Sequence, residues 1–318
     1  MSRGWQDPEP EASGLRRWAG SLGLSPEELP ERRISAPLGC LGEVWIAQQG
    51  SSPSGSYKEL GAEVMAASAH RRGIRDLFLD SSGNAGIAVA RACSERGMTC
   101  TVLVPETTPE MKKARIRQWG GRVETIPGDR DATHRAAREW SRTMSYAAPF
   151  FQPSFFVGVA TLAWDLWRGF AGRLPENWFL PVGNGPLLLG LAWGLEALRQ
   201  AGKIEQLPAL RAVQLEGWAS LHPDGPGSPA AHPPRAGGIA IGNPPRRADL
   251  LTWIERSGGD VTRVSDEAID EARRSLAGAG WPADPTGAAA WAGRLARPDL
   301  WEKDSLVLLT SRDEPSSS

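Results

Sequence analysis

The sequence predicts an α/β protein with a mainly parallel sheet that has helices on both faces. Two observations predict this class. Short apolar runs alternate with helical segments of roughly ten to fifteen residues, first over residues 43–144 and again over residues 158–310. Three junctions that lead into predicted helices are rich in glycine and small polar residues. In open α/β sheets, ligands bind at the carboxyl ends of the strands, so these junctions are candidate site residues.

The alternation continues along the whole chain. In the first half, the predicted strands span residues 43–48, 76–80, 99–104 and 122–126, and the predicted helices span residues 57–72, 85–96, 109–119 and 129–144. In the second half, the predicted strands span residues 178–181, 210–215 and 306–310, and the predicted helices span residues 158–172, 187–201, 249–257, 266–279 and 288–295. Residues 222–238 hold many Pro and Gly and form a predicted long loop.

Composition limits the classes of function. The chain has 318 residues, a formal net charge of -1, 41% hydrophobic and 23% charged residues, as in a soluble globular enzyme. The near-zero net charge argues against a nucleic-acid or anionic membrane partner. The three cysteines and four histidines show no ligand spacing, so we expect no metal site. The polar first ten residues lack an apolar segment, and a cytoplasmic location is expected.

The first junction is Pro53–Lys58, with the sequence P-S-G-S-Y-K. Its small residues precede a lysine at the start of a predicted helix, and small side chains allow a bulky planar group to approach the backbone closely. Lys58 is one of five lysines in the chain. A lone lysine is most often a solvated surface residue, so Lys58 alone does not decide between the two interpretations.

The other two junctions follow predicted strands. Ser81–Gly86, with the sequence S-S-G-N-A-G, offers hydroxyl and backbone N–H groups that suit a carboxylate, although helix capping explains part of it. Pro181–Leu187, with the sequence P-V-G-N-G-P-L, can hold a phosphate at the start of an apolar helix. It is neither a P-loop nor a dinucleotide fingerprint, and a tight turn between strand and helix explains it equally well.

Together the three junctions resemble the motifs of fold-type II pyridoxal-phosphate (PLP) enzymes of the threonine-synthase-like group. That family shows P-[ST]-G-S-[FY]-K, S-S-G-N-[AT]-G and P-V-G-N-G in this order. Weaker matches follow at residues 238–245, 284–289 and 308–310, so the resemblance covers about residues 36–311. It implies an α/β fold with two open, mainly parallel twisted sheets flanked by helices, as in tryptophan-synthase-beta-like enzymes, and pyridoxal 5'-phosphate as the cofactor. We expect residues 1–35 to be an N-terminal extension, residues 36–60 and 152–318 a large PLP-binding domain, and residues 61–151 a small domain.

The resemblance also implies residue roles. Lys58 is the catalytic residue and binds PLP as a Schiff base, Asn84 lies against the 3-hydroxyl of PLP, and Thr310 faces its pyridine nitrogen. The full set of implied cofactor contacts is Lys58, Asn84, Gly183, Asn184, Gly185, Pro186, Leu187 and Thr310. The implied substrate contacts are Ser81, Ser82, Gly83, Ala85, Gln152 and Phe155. An amino-acid substrate and a homodimer are expected.

The sequence departs from the family pattern at three places. Residues 311–315, S-R-D-E-P, replace the common G-x-G-L-K, and Pro186 removes one N–H donor from the phosphate loop. Phe155 and Phe156 occupy a stretch where threonine synthases offer polar groups to a substrate phosphate. Aromatic rings are poor partners for a phosphate dianion, so a less charged amino acid is the expected substrate.

The expected activity is β- or γ-elimination or replacement on an amino acid by a PLP-dependent lyase. Threonine synthesis from O-phosphohomoserine is the nearest family activity. A serine or threonine dehydratase and a cysteine synthase-like enzyme are alternatives with the same fold. A catalytically weakened PLP-binding homologue with a binding or scaffold role is the alternative from another class, motivated by residues 311–315 and by the fourteen tryptophans.

Overall fold

The computed structural model describes residues 20, 22, 38–50, 54–228 and 231–312. Most of the predicted N-terminal extension, Pro53 of the first junction and residues 313–315 lie outside the described residues. The described residues divide into two compact units, the first made mainly of residues 58–162 and the second of residues 38–50, 54–57, 163–228 and 231–312. The boundaries therefore fall at 57/58 and 162/163, where the sequence analysis places them at 60/61 and 151/152.

The strands of the described residues are β1 Leu38–Leu41, β2 Val44–Gln48, β3 Asp76–Asp80, β4 Thr99–Pro105, β5 Arg122–Ile126, β6 Ser145–Tyr146, β7 Asn177–Pro181, β8 Ala209–Leu215, β9 Asp260–Val264 and β10 Ser305–Leu309. The α-helices are α1 Lys58–Arg71, α2 Asn84–Ser94, α3 Glu110–Gln118, α4 Arg130–Trp140, α5 Pro153–Gly169, α6 Pro186–Gln200, α7 Arg247–Arg256, α8 Asp266–Gly278 and α9 Pro285–Leu295. A short 3-10 helix, Pro298–Leu300, precedes β10. No helix in these ranges is long and apolar enough to cross a membrane.

The first unit contains a four-stranded parallel sheet in the order β5-β4-β3-β6. The middle strands are largely buried and apolar, as expected for strands that are covered on both faces. Phe78 of β3, Leu103 of β4 and Ala137 of α4 form one buried cluster on the α4 face. The carboxyl end of β3 leads into Ser81, so that the second junction lies at the edge where open α/β sheets bind ligands.

The second unit contains a six-stranded sheet in the order β1-β2-β10-β7-β8-β9. β1 pairs antiparallel with β2, and the other strand pairs are parallel. Every residue of β7 and β10 is buried. β2, β10 and β7 are parallel neighbours. The residues at their carboxyl ends, Gln48, Thr310 and Val182, therefore lie side by side.

The predicted fold class is confirmed, since both sheets are mainly parallel and helices flank them. The sequence analysis missed the short or polar strands β1, β6 and β9. It also placed the start of α5 at residue 158 and that of α9 at residue 288, whereas each helix begins earlier, at Pro153 and Pro285. Proline at the first helical position is favourable because its fixed φ suits the helix and its missing N–H has no helical partner there.

Candidate active site

Lys58 is the first residue of α1, and it is partly buried. Directly before it, the backbone N–H of Tyr57 donates to the carbonyl oxygen of Thr310 at 3.1 Å, just beyond the end of β10. Burial raises the pKa of the Tyr57 hydroxyl far above its usual range, so this group stays neutral. The residue that precedes the lysine is therefore bonded just beyond the end of a fully buried strand.

The residues after Thr310 pair with the loop before Lys58. Ser311 is buried and forms an isolated antiparallel bridge with Ser56. The backbone N–H of Arg312 donates to the carbonyl oxygen of Gly55 at 3.3 Å. As far as residue 312, the segment that departs from the family pattern is thus part of the scaffold of the lysine loop.

Ser81–Gly86 forms the turn between β3 and α2. Gly83 is the N-cap residue of α2, and no side chain caps the helix. A Cβ atom at Gly86 would lie 2.2 Å from the carbonyl oxygen of Ser81, which explains why the run ends in glycine. Gly83 is exposed, and the partly exposed members of the turn are Ser81, Ser82, Asn84 and Ala85. Uncapped N–H groups at a helix N-terminus are suited to a carboxylate, so the turn fits the predicted substrate contact.

Gln152 and Phe155 lie at the start of α5, and both are buried. The Gln152 side-chain amide donates to the carbonyl oxygen of Tyr146 at 2.8 Å. The Phe155 ring packs on α1, where a Cβ atom at Gly61 would lie 2.5 Å from three ring atoms. Gly61 follows Lys58 by about one helical turn, so Phe155 supports the helix that carries the lysine. The contact of Gln152 and Phe155 with substrate stays a prediction.

Pro181–Leu187 forms the turn between β7 and α6. Gly185 is the N-cap residue, with a φ of 84° in the left-handed region that favours glycine, and no side chain caps the helix. A Cβ atom at Gly183 would lie 2.5 Å from the carbonyl oxygen of Gly238. Every residue of the turn is buried except Asn184, which is partly exposed, and the buried predicted contacts are Gly183, Gly185, Pro186 and Leu187. A tight glycine turn at an uncapped helix N-terminus fits a phosphate group.

A buried glutamine braces this turn from the neighbouring strand β8. The Nε2 atom of Gln214 donates to the carbonyl oxygen of Val182 at 3.3 Å, and its Oε1 atom accepts from the N–H of Leu221 at 3.0 Å. The sequence analysis missed Gln214. The available signal was an amide side chain within the otherwise apolar end of a strand, since a buried amide needs hydrogen-bond partners.

Thr310 follows β10 and is only 4% exposed. The N-terminus of α9 packs beside it, because a Cβ atom at Gly287 would lie 3.3 Å from the backbone nitrogen of Thr310. Asp284 caps α9, and its carboxylate accepts from the N–H of Gly287 at 2.7 Å. Thr310 therefore has an ordered environment, and its contact with the pyridine nitrogen stays a prediction.

The family model and the similar proteins that match this chain point to the same family. The family model for pyridoxal-phosphate dependent enzymes matches residues 25–311. A threonine synthase from Mycobacterium bovis is 30% identical over 285 residues, which are 87% of this chain and 77% of that protein. A threonine synthase from Methanocaldococcus jannaschii is 26% identical over 243 residues, which are 74% of this chain. The chain spans only 60% of the length of that archaeal relative.

A solved structure agrees with these matches. The processed form of threonine deaminase isoform 2 from Solanum lycopersicum superposes with a TM-score of 0.77 at 19% identity, covering 98% of this chain and 94% of that chain. The predicted cofactor, PLP, is confirmed by the family match. The predicted fold type is confirmed by the family match and by this likeness. The chain belongs to the family of fold-type II pyridoxal-phosphate dependent enzymes.

Proposed function

We propose that this chain is a lyase that acts on an α-amino acid by β- or γ-elimination or replacement. The observation that carries the proposal is the setting of Lys58, which starts α1 directly after a loop bonded to the end of β10. The similarity to threonine synthases and to a threonine deaminase supports chemistry on an amino acid. The nearest activity is that of a threonine synthase.

The two glycine turns and the lysine support the proposed cofactor contacts. Lys58 would hold PLP through its amine, and the turn at Gly183–Leu187 would hold the phosphate. Asn84 would lie against the 3-hydroxyl, and Thr310 would face the pyridine nitrogen. When bound, PLP supplies an electron sink that stabilises negative charge on the substrate carbon.

The residues of the chain itself bind and orient the amino acid. Ser81 and Ser82, which precede α2, and Ala85 in its first turn hold the carboxylate and so set which bond at Cα can break. The amine of Lys58 moves the proton at Cα. Thr310 carries a neutral hydroxyl and supplies no negative charge that would favour a protonated pyridine nitrogen. This favours elimination or replacement over transamination.

A dehydratase that acts on serine or threonine is the second candidate. Phe155 and Phe156 have no hydrogen-bond donor, so neither side chain offers a charge-assisted contact to a substrate phosphate. These two side chains favour an amino acid that carries less charge than O-phosphohomoserine. We also propose a homodimer and a cytoplasmic location, and sedimentation of the purified protein tests the first of these.

Borohydride reduction tests the role of Lys58. The purified protein should be yellow, and reduction followed by peptide mapping should find PLP fixed on Lys58. Lys58→Ala should abolish this labelling, whereas Lys303→Ala, at an exposed lysine, should leave it unchanged. A colourless protein that takes up no PLP, or a label on another lysine, would overturn the proposal.

A second experiment identifies the reaction. The protein is incubated with O-phosphohomoserine, serine, threonine and O-acetylserine, and phosphate, 2-oxo acid and thioether product are measured. Release of 2-oxo acid from serine or threonine supports the dehydratase, and phosphate release with threonine formation supports the threonine synthase. Normal PLP uptake without turnover of any of these amino acids would favour a weakened homologue that only binds.

A further inference from the structure

A carboxylate directly before the predicted substrate turn holds two groups from other elements. Asp80 ends β3, and Ser81 is the next residue. The hydroxyl of Tyr146 donates to Oδ1 of Asp80, and Nδ1 of His134 lies 3.1 Å from Oδ2. Both carboxylate oxygens are thus engaged, and the Asp80 side chain is only 14% exposed.

The tyrosine is fixed in place by its ring. It stacks on Phe78, with ring centres 5.1 Å apart and planes at 21°. Phe78 and Asp80 are two positions apart in β3, so they share one face of the sheet. Burial, followed by the negative charge of Asp80, raises the pKa of the Tyr146 hydroxyl far above its usual range. The hydroxyl therefore remains a protonated donor throughout the physiological pH range.

The same tyrosine reaches the second stretch with predicted substrate contacts. Its carbonyl oxygen accepts the side-chain amide of Gln152 at 2.8 Å. β6, which ends at Tyr146, is the neighbour of β3 in the sheet. One residue therefore connects the start of the turn at Ser81 with Gln152.

We propose that Asp80, Tyr146 and His134 form a positioning cluster that sets the geometry of the Ser81–Gly86 turn and thereby the affinity for the carboxylate of the amino acid. This inference rests on the proposed function. A buried carboxylate is costly unless its lone pairs are satisfied, and an uncompensated one beside an anion-binding turn repels a second carboxylate. The Tyr146 hydroxyl of β6 and the His134 imidazole of α4 supply the hydrogen-bond partners of the Asp80 carboxylate.

The cluster acts through Ser81 and Gln152 and does not itself contact the reacting atoms. An ordinary network that only stabilises the first unit would change the unfolding free energy without changing the turn. A positioning role changes substrate affinity and local motion of the turn while the unit stays folded. The two interpretations therefore differ in what a conservative substitution does.

Tyr146→Phe is the main test, because it removes the hydroxyl and keeps the stacked ring. With the amino acid that the wild-type protein turns over, KM should rise about tenfold while kcat changes less than about threefold, as expected when a hydrogen bond to a charged group that supports binding is lost. His134→Ala should act in the same direction, and His134→Gln, which retains a donor, should restore most of the affinity. Asp76→Asn, at the exposed opposite end of the same strand, is the matched control and should change neither constant.

Hydrogen exchange supplies a readout that needs neither PLP nor turnover. In Tyr146→Phe, the amides of residues 81–86 should exchange several-fold faster, while the exchange of β4 is unchanged and the first unit stays folded. Unchanged exchange of residues 81–86 in this variant, or an equal increase across the first unit, overturns the positioning role. A wild-type protein that takes up no PLP overturns the proposed function instead. The exchange experiment then still shows whether the cluster fixes the geometry of the turn.

Discussion

The backbone N–H of Tyr57 donates to the carbonyl oxygen of Thr310 at 3.1 Å, so the residue before Lys58 is bonded to the residue after β10. The two partners are far apart in the sequence, and β10 is buried at each of its positions. A buried central strand is among the most stable parts of a domain, so it is a rigid anchor for the lysine loop. Changes in the residues that follow Thr310 should therefore alter the loop before Lys58 and, with it, the affinity for PLP.

Arg312→Pro tests this connection. Proline has no backbone N–H, so the substitution removes the 3.3 Å hydrogen bond from Arg312 to the carbonyl oxygen of Gly55. A typical hydrogen bond contributes about 1 kcal/mol, and we expect the dissociation constant for PLP to rise about fivefold. Equilibrium dialysis measures it. Arg312→Ala keeps the N–H and should behave as the wild type, and equal affinities of the two variants would contradict the connection.

Gly183→Ala should damage the predicted phosphate turn. Its Cβ atom would lie 2.5 Å from the carbonyl oxygen of Gly238 and 3.1 Å from the Cα atom of Ile239, and these backbone atoms leave little room to relax. Such overpacking costs about 1–3 kcal/mol, and we expect PLP affinity to fall about tenfold or more. Gly237→Ala is the control, because a Cβ atom there meets nothing within 4 Å. If both variants bind PLP as the wild type does, the turn at Gly183 does not hold the phosphate.

Glu59→Gln should destabilise the first unit. The Glu59 side chain, next to Lys58, is 1% exposed and pairs with Arg91 of α2. Arg91 keeps Glu63 and Glu95 as partners after this change, so its charge stays partly compensated. The loss is that of one buried interaction between charged groups, and we expect it to lower the free energy of unfolding by about 2 kcal/mol. Glu95→Gln removes a partner of the same arginine whose side chain is 46% exposed, and it should cost about 0.5 kcal/mol or less. Denaturant titration compares the two, and equal losses would show that burial does not matter here.

The fold was predictable where a segment is long and its pattern strong. The helices and the buried strands follow from local apolar patterns. β6 has two residues, and its pairing with β3 is a long-range contact that no local pattern reveals. β9 is a polar edge strand with two buried positions, and β1 is a short antiparallel edge strand joined to β2 by a tight turn in which Gly42 has a φ of 62°. Sheet edges lack the continuous apolar run that marks a covered strand.

The parts of the site that consist of contiguous motifs could be predicted from the sequence. The sequence marks Lys58 and both glycine turns because each is a run of neighbouring residues. The side chains that support these motifs come instead from positions far apart in the sequence. Asp80 meets Tyr146 and His134 across 66 and 54 residues of chain. Gln214 meets Val182 across 32 residues. Only the tertiary structure brings such partners together.

His222 should make the second unit sensitive to acid. Burial, followed by the positive charge of Arg263, lowers the pKa of His222 below its usual 6.5, although Asp224 and Asp260 act in the opposite direction. Its Nδ1 atom accepts from the N–H of Asp224 at 3.2 Å, which requires an unprotonated nitrogen. Because the folded-state pKa lies below that of the unfolded chain, the unfolded state binds the proton first. This contribution to stability is complete above about pH 6.5 and is lost as the pH falls through the lowered folded value.

The measurement is the thermal midpoint between about pH 8 and pH 5, a range that spans the titration of an ordinary histidine. His222→Gln removes the titrating ring and should make the midpoint fall less on acidification than it does in the wild type. His70→Gln removes a histidine of the first unit and should leave the wild-type profile unchanged. If His222→Gln shows the same loss as the wild type, protonation of His222 does not contribute, and the N–H of Asp224 has another acceptor in acid. If the thermal midpoint falls less on acidification in His222→Gln alone, the acid sensitivity comes from His222, at the start of the 222–238 loop.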